Sequence, residues 1–296
     1  MHSYDSISIQ AQKNAQAHAG LLQLPLAERV WRGAAGEFQG AGVGASMDFQ
    51  DHRVYMPGDD PRHINWQAYA RTGHYTMKLY REEVRPVVDI IFDISKSTTF
   101  DETKSLRAFE LLHLVHHCAT KAGASTVTHL INGDQHVQIS SQALLANHWK
   151  VAENITSTAS PQYNAIPQFQ KLPLRGNALR LVISDCLYPG DPLPILRSLS
   201  QRKSGLIILS PFLESEANPN WQGNYFFIDS ETDKSQSHRI EQKTLQRYIT
   251  NYQNHFNTWR EAATRVQALF TKVSANSPLL ESLQHEAIKL GAFSLS

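Results

Sequence analysis

A surplus of charge of either sign is absent from this 296-residue chain, in which 28 lysines and arginines face 27 aspartates and glutamates. This balance gives no reason to expect a nucleic acid or an anionic membrane as the partner. Long hydrophobic runs are also lacking, since none approaches the roughly 18 apolar residues that a membrane-spanning helix needs. Residues 1–20 are polar and do not resemble a signal peptide. We therefore expect a cytoplasmic protein.

Cysteine is scarce, and the two present, Cys118 and Cys186, do not form a ligand-like pair in the sequence. We expect both to be reduced thiols. The motifs of several enzyme classes are missing as well. No glycine precedes a lysine, as a Walker A loop requires, and neither G-x-S-x-G nor H-E-x-x-H occurs. The sequence therefore gives no motif that would indicate a serine hydrolase with a nucleophile elbow or a zinc protease.

Hydrophobic residues make up 41% of the chain, enough for a packed core. The run at residues 87–92 is almost continuously apolar, which is typical of a central parallel strand covered on both faces. Further strands are predicted at residues 126–131, 137–139, 179–184, 206–209 and 225–228, and helices at residues 101–122, 143–156 and 193–201. This alternation predicts an α/β fold with a doubly wound, mostly parallel sheet.

Three parts of the chain are predicted around this sheet. Residues 1–85 are expected to form a small N-terminal region of helices and strands, with helices over residues 7–30 and from Pro61 to Gly73. Residues 86–235 are expected to form the α/β domain. Residues 236–296 are expected to form C-terminal helices packed on that domain, because an apolar stripe over residues 240–272 predicts one long helix.

Oxygen-bearing side chains follow two of the predicted strands. The loop Asp93-Ile94-Ser95-Lys96-Ser97 comes directly after the strand at residues 87–92, and Asp185 comes directly after the strand at residues 179–184. Ligands of open parallel sheets bind outside the carboxyl ends of the strands. Carboxylates and hydroxyls suit a hard cation such as Mg²⁺. The alternative is ordinary helix capping, which explains many such clusters of serine and aspartate.

The segment from Tyr55 to Arg71 has a distinctive order of residues. Its characteristic members are Tyr55, Gly58, Asp59, Asp60, Arg62, Trp66 and Arg71. Together with the Asp93 loop and Asp185, this segment resembles the bacterial domain-of-unknown-function-58 family. The resemblance implies a von Willebrand A-like fold with a metal-ion-dependent adhesion site that holds Mg²⁺ or Mn²⁺. It also implies association with MoxR-type AAA+ ATPases, as an adaptor or chaperone-like partner.

Two positions depart from the family pattern. Adhesion sites of this kind usually add a threonine from an intermediate loop, and the sequence pattern assigns no threonine between residues 157 and 171 to that role; Asn164 or Ser160 could substitute for it. Asn65 stands where the family segment usually has aspartate, which removes one negative charge there.

Two further groups have alternative interpretations. The charged residues of the Tyr55–Arg71 segment, with Trp66, could form a buried ion network or a recognition surface, and we favour the structural role. His113 and His117 are spaced so that they could share a metal on one helix, but no third ligand is evident. We therefore expect them on a solvated helix face.

The favoured hypothesis is a non-enzymatic module that binds a protein partner through a divalent cation held by Asp93, Ser95, Ser97 and Asp185. The alternatives are a metal-assisted phosphoester hydrolase and a scaffold in which the Asp93 loop only caps a helix.

Overall fold

The computed structural model describes residues 4–26, 47–82, 85–158, 166–229 and 234–296. The chain divides into two compact units, one made of Met1–Ala35 with Pro86–Ser296 and the other of Gly36–Arg85. We call them the main unit and the small unit. The first helix, α1 (Tyr4–Ala19), is part of the main unit although it precedes the small unit in the chain.

The main unit is built on a six-stranded sheet. In chain order its strands are β4 (Val87–Asp93), β5 (Ser125–Asn132), β6 (Gln135–Ile139), β7 (Leu179–Ile183), β8 (Gly205–Phe212) and β11 (Leu269–Ser274). They lie side by side in the order β11-β8-β7-β4-β5-β6, and all neighbours are parallel except β6, which is antiparallel to β5. The expectation of an α/β fold with a mostly parallel sheet is confirmed.

The other described elements complete the main unit. The helices after α1 are α3 (Lys96–Thr99), α4 (Glu102–Lys121), α5 (Ser141–Leu145), α6 (Lys150–Thr158), α7 (Leu193–Leu199), α8 (Glu214–Ala217), α9 (Gln242–Arg265) and α10 (Leu279–His285). Two short strands, β1 (Leu22–Gln23) and β12 (Ser294–Leu295), pair with each other. A separate antiparallel hairpin consists of β9 (Gly223–Ile228) and β10 (Ser235–Ile240). No helix in the described ranges combines the length and the apolar character needed to cross a bilayer.

Alternate residues of β4 pack into two separate hydrophobic cores, one on each face of the sheet. Ile90 and Phe92 pack in the core that includes residues of α1 and α4. Ile91 packs in the core that includes residues of α7 and α9. Because side chains alternate across a strand, a continuously apolar strand needs cover on both faces, and the two cores provide it.

Two predicted helices end earlier than the apolar pattern indicates. The helix predicted over residues 240–272 is wrong in its second part, because α9 ends at Arg265 and β11 follows as an edge strand. Gln267 has φ +57°, and the amide of Ala268 donates to the carbonyl oxygen of Ala263. This left-handed cap ends a helix, and its usual marker, glycine, is absent from the position.

The helix predicted over residues 143–156 is divided for the same reason. Asn147 has φ +55°, and the amide of His148 donates to the carbonyl oxygen of Ala143. This cap separates α5 from α6. The helix predicted over residues 7–30 ends at Ala19, and residues 27–30 lie outside the described residues.

The small unit contains β2 (Met47–Val54) and β3 (Thr76–Glu82), which pair antiparallel, and α2 (Trp66–Thr72) between them. The helix predicted from Pro61 is interrupted: Pro61–His63 form a 3₁₀ turn capped by Asp60, and α2 starts afresh with Asn65 as its cap. Each cap side chain accepts a hydrogen bond from a backbone amide, from Arg62 in the first case and from Ala68 in the second.

Of the two histidines expected on a solvated face of α4, His113 is buried and His117 is half-buried, so the expectation is wrong for His113. His113 is fully buried, and its Nε2 lies 2.8 Å from Ser8 Oγ of α1. His116 is also buried, and neither of its ring nitrogens has a hydrogen-bond partner among the described residues. Burial, with a smaller contribution from His117, lowers the pKa of His116 to about 4.

The buried His116 predicts a loss of stability in acid. Its ordinary pKa is 6.5 and its folded pKa is lower, so the unfolded chain takes up a proton first as the pH falls below about 6.5. The free energy of unfolding should therefore decrease from about pH 6.5 towards pH 4, and His116→Leu should weaken this decrease. Urea unfolding at pH 7 and pH 5 measures the effect. Exposed His148, changed to Leu, is the control, and equal pH dependence in the two variants contradicts the prediction.

Candidate cation site at the carboxyl edge of the sheet

The predicted site residues lie where the strand order of the sheet reverses. The chain passes from β4 to β5 on one side and returns to β7 on the other, so β4 and β7 border the topological switch point. Phe92 of β4 is in register with Ile183 of β7. Asp93 and the Ser184–Asp185 pair therefore emerge beside each other at the carboxyl edge, which is where ligands of such sheets bind.

Asp93 is a buried carboxyl group, with 1% of the residue exposed. Its Oδ2 accepts a hydrogen bond of 2.7 Å from Ser184 Oγ, and its Oδ1 accepts one of 3.0 Å from the amide of Ser95. Burial and the nearby charge of Asp185 raise the pKa of Asp93 to about 7, although these hydrogen bonds oppose the shift. No basic side chain of the described residues forms an ion pair with Asp93. This carboxylate would therefore be stabilised by an added positive charge.

Ser95 occupies the N-cap position of α3, but its side chain makes no capping hydrogen bond. Its hydroxyl instead lies 3.2 Å from Ser97 Oγ and 3.3 Å from Thr98 Oγ1. The capping alternative therefore does not account for the Ser95 side chain. The hydroxyls of Ser95, Ser97 and Thr98 therefore lie close together just after Asp93 in the chain.

Asp185 is also buried, and a lysine already neutralises it. Lys104 of α4 donates from Nζ to Asp185 Oδ2 at 2.9 Å, and the amide of Leu187 donates to Asp185 Oδ1 at 3.1 Å. The same ammonium donates to Glu216 Oε1 of α8 at 2.8 Å. Burial acts to lower the pKa of Lys104, but the attraction of Asp185 and Glu216 outweighs it, so the pKa is raised. Lys104 is consequently a charged ammonium inside the protein.

The oxygen donors of this edge fit a hard cation in part. Asp93, Ser95 and Ser97 offer a carboxylate and two hydroxyls, which is ligand chemistry that Mg²⁺ accepts while keeping several waters. Asp185 fits less well, because both of its oxygens already accept hydrogen bonds. Asn164 and Ser160 lie outside the described residues. The described residues contain no group of three or more histidine, cysteine or acidic side chains arranged for a metal.

Ser184, Lys104 and Glu216 contact the predicted site residues or their partners but are not among the residues predicted from the sequence. The burial of Lys104 could have been predicted from the sequence. Lys104 precedes the apolar Ala108, Leu111 and Val115 at helical spacing, so it lies on the buried face of α4. Glu216 has no such sequence signal, since its contact with Lys104 joins positions that are distant in the chain.

The Tyr55–Arg71 segment lies in the small unit and is largely exposed, so the buried ion network expected there is wrong. Its ion pairs are local: Arg53 binds Asp59 through both guanidinium nitrogens at 2.7 and 2.6 Å, and Arg62 pairs with Asp60 at 2.6 Å. Trp66 is 58% exposed.

The remaining members of the segment have local roles. The Tyr55 ring lies 6.2 Å from that of Tyr75, and Gly58 adopts φ +107°, which favours glycine. Arg71 Nε donates to the carbonyl oxygen of Gln67. Asn65 Nδ2 lies 2.6 Å from His52 Nε2, so the residue that replaces the family aspartate takes part in a local contact as well as in the cap.

A family described as protein of unknown function DUF58 matches residues 51–258. No curated protein matches the chain. Solved structures that resemble it include the conserved hypothetical protein BatB from Bacteroides thetaiotaomicron, with 13% identity, 69% of this chain and 98% of that chain covered, and a TM-score of 0.32. An aerotolerance-related membrane protein from Bacteroides fragilis has 16% identity, coverage of 69% and 99%, and a TM-score of 0.32.

The contact between Ser184 and Asp93 predicts a specific loss of stability. Ser184→Ala removes the hydroxyl that donates to a buried carboxylate, and leaving such a group unsatisfied costs about 1–3 kcal/mol. The free energy of unfolding in urea should fall by this amount. Above pH 7, where Asp93 is ionised, the same substitution should cost less in the Asp93→Asn background, because the acceptor there is uncharged. Equal costs in both backgrounds would contradict a contribution from the charge of Asp93 to this contact.

Proposed function

Because the chain belongs to the DUF58 family, whose model matches most of its length, we propose that it is a non-enzymatic protein-binding module with a von Willebrand A-like fold. In this proposal a divalent cation, Mg²⁺ or Mn²⁺, is held at the carboxyl edge of the sheet. Asp93, Ser95 and Ser97 are its ligands, and Asp185, whose charge Lys104 balances, is the second carboxylate of the site.

The observation that carries the proposal is the state of Asp93. A carboxyl group that is buried, lies near a second carboxylate and has a pKa raised to about 7 is destabilised when ionised. The Ser95 hydroxyl, which is not used in capping, lies in the same loop. A cation bound there would supply the missing positive charge and accept hydroxyl ligands that add no charge of their own.

The partner is proposed from the ligand set and from the family resemblance. A cation held by a single carboxylate and hydroxyls retains positive charge and exchangeable positions, which suits an acidic side chain of another protein. The family resemblance favours a MoxR-type AAA+ ATPase or one of its clients as that protein, and a cytoplasmic location is part of the same proposal.

Metal binding predicts a rise in melting temperature. Mg²⁺ or Mn²⁺ at about 100 times its dissociation constant should stabilise the folded chain by about 2.7 kcal/mol. For a chain of this size that is a rise of several degrees, at about 2–4 °C per kcal/mol. Asp93→Ala should abolish the rise while the protein still unfolds cooperatively, and differential scanning calorimetry measures both.

Asp191→Ala is the matched control for this experiment. Asp191 is exposed and lies between β7 and α7, and among the described residues its side chain accepts a hydrogen bond from the amide of Leu193. Its variant should keep the whole metal-dependent rise. No shift of the wild-type protein at millimolar metal would count against the proposal.

Partner binding should depend on the same residue. The immobilised protein should retain a purified MoxR-type ATPase in Mg²⁺, and EDTA or Asp93→Ala should release it, because the acidic side chain of the partner loses its cation. Asp191→Ala should again behave as wild type. Retention that is unchanged in EDTA would favour a metal-independent scaffold.

A further inference from the structure

The ammonium of Lys104 is placed as a metal ion would be, between acidic side chains at the carboxyl edge of the sheet. The Lys104 side chain is 0% exposed, and it forms ion pairs with Asp185 at 2.9 Å and Glu216 at 2.8 Å. Lys104 belongs to α4, and the apolar residues of this helix pack in the core that also contains Ile90 and Phe92 of the sheet. Lysine is seldom buried completely unless it is paired, and both partners here come from other elements.

We propose that Lys104 is the resident cation of this site: its ammonium holds Asp185, and a divalent ion can use Asp185 only after displacing it. This inference takes the same site as the proposed function and therefore rests on that function for its biological meaning. The ligand class is a hard divalent cation, and the residue that determines how tightly it binds is Lys104.

Asp185 is fully engaged in the present arrangement. Lys104 donates to one of its oxygens and the amide of Leu187 donates to the other. The donors to Asp93 within the described residues are neutral, and they include the hydroxyl of Ser184 and the amide of Ser95. The two carboxylates of the predicted metal site are thus unequal. Asp93 is open to an added cation, whereas Asp185 has one already.

Glu216 offers Lys104 a second anchor when Asp185 is released. Its position in α8 is fixed, because Glu216 Oε2 accepts from the amide of Leu213 and Tyr248 of α9 donates to the backbone oxygen of Glu216. An ammonium that gives up Asp185 would keep this counter-charge. Removal of a buried charge from all its partners would be far more costly, so Glu216 makes the exchange possible.

The test compares Mn²⁺ binding by the wild-type protein and by the double variant Lys104→Met/Glu216→Gln. Formally, Lys104, Asp185 and Glu216 sum to one negative charge, and the double variant leaves Asp185 with the same net charge. A change in affinity therefore reports the release of Asp185, not a change in local charge. Lys121→Met, at the exposed end of the same helix, is the control for loss of a lysine. Isothermal titration calorimetry measures affinity, and circular dichroism checks the fold.

The double variant should bind Mn²⁺ at least about tenfold more tightly than the wild-type protein, because no buried ion pair has to be broken. Lys121→Met should bind as the wild type does. Binding by the double variant alone would support the role of Lys104 while contradicting metal binding as a function of the natural protein. Equal or weaker binding by the folded double variant, or no binding by either protein, would overturn the inference.

A double variant that does not fold on its own is also informative. If Mn²⁺ restores its circular dichroism spectrum, the ion replaces the lost ammonium and the inference is supported. If the chain stays unfolded at millimolar Mn²⁺, the ammonium is a structural group that a metal cannot replace, and the inference is wrong.

Discussion

Two carboxylates buried at the ends of neighbouring parallel strands are the constraint on which this edge of the protein depends. The pairing of β4 with β7 places Asp93 and Asp185 side by side, each with 1% of its surface exposed. Like charges in a buried place repel each other and lose their hydration, so each needs compensation. Asp185 obtains it from the ammonium of Lys104, and Asp93 obtains only hydrogen bonds from Ser184 and the Ser95 amide.

Two helices of the main unit, α4 and α8, position the charged side chains that pair with Asp185 and with Lys104. The apolar face of α4 covers one side of the sheet and at the same time carries Lys104 to the carboxyl edge. α8, directly after β8, carries Glu216 to the same ammonium. Loss of one partner from a buried ion pair costs about 3–5 kcal/mol. The helix and the two strand ends are therefore linked by charge as well as by hydrophobic packing.

The sequence predicted the sheet well because apolar runs of strand length depend on local pattern alone. It failed where tertiary contacts or unusual backbone angles decide. Gln267 and Asn147 end helices in left-handed conformations that usually favour glycine, so the apolar pattern alone predicts helices that run past both residues. The pattern of α4 alone predicts a solvated His113, whereas Ser8 of α1 contacts this histidine in the fold. The spacing of the loop from Asp93 to Ser97 predicts the candidate site, but the pairing of Lys104 with Asp185 depends on contacts between distant parts of the chain.

The most direct test of the account is an X-ray structure of crystals soaked in Mn²⁺, with diffraction measured near the manganese absorption edge. The account predicts an anomalous difference peak next to the carboxylate of Asp93 and the hydroxyls of Ser95 and Ser97. A crystal saturated with Mn²⁺ that shows no peak there, or shows one only at some other group, would contradict it.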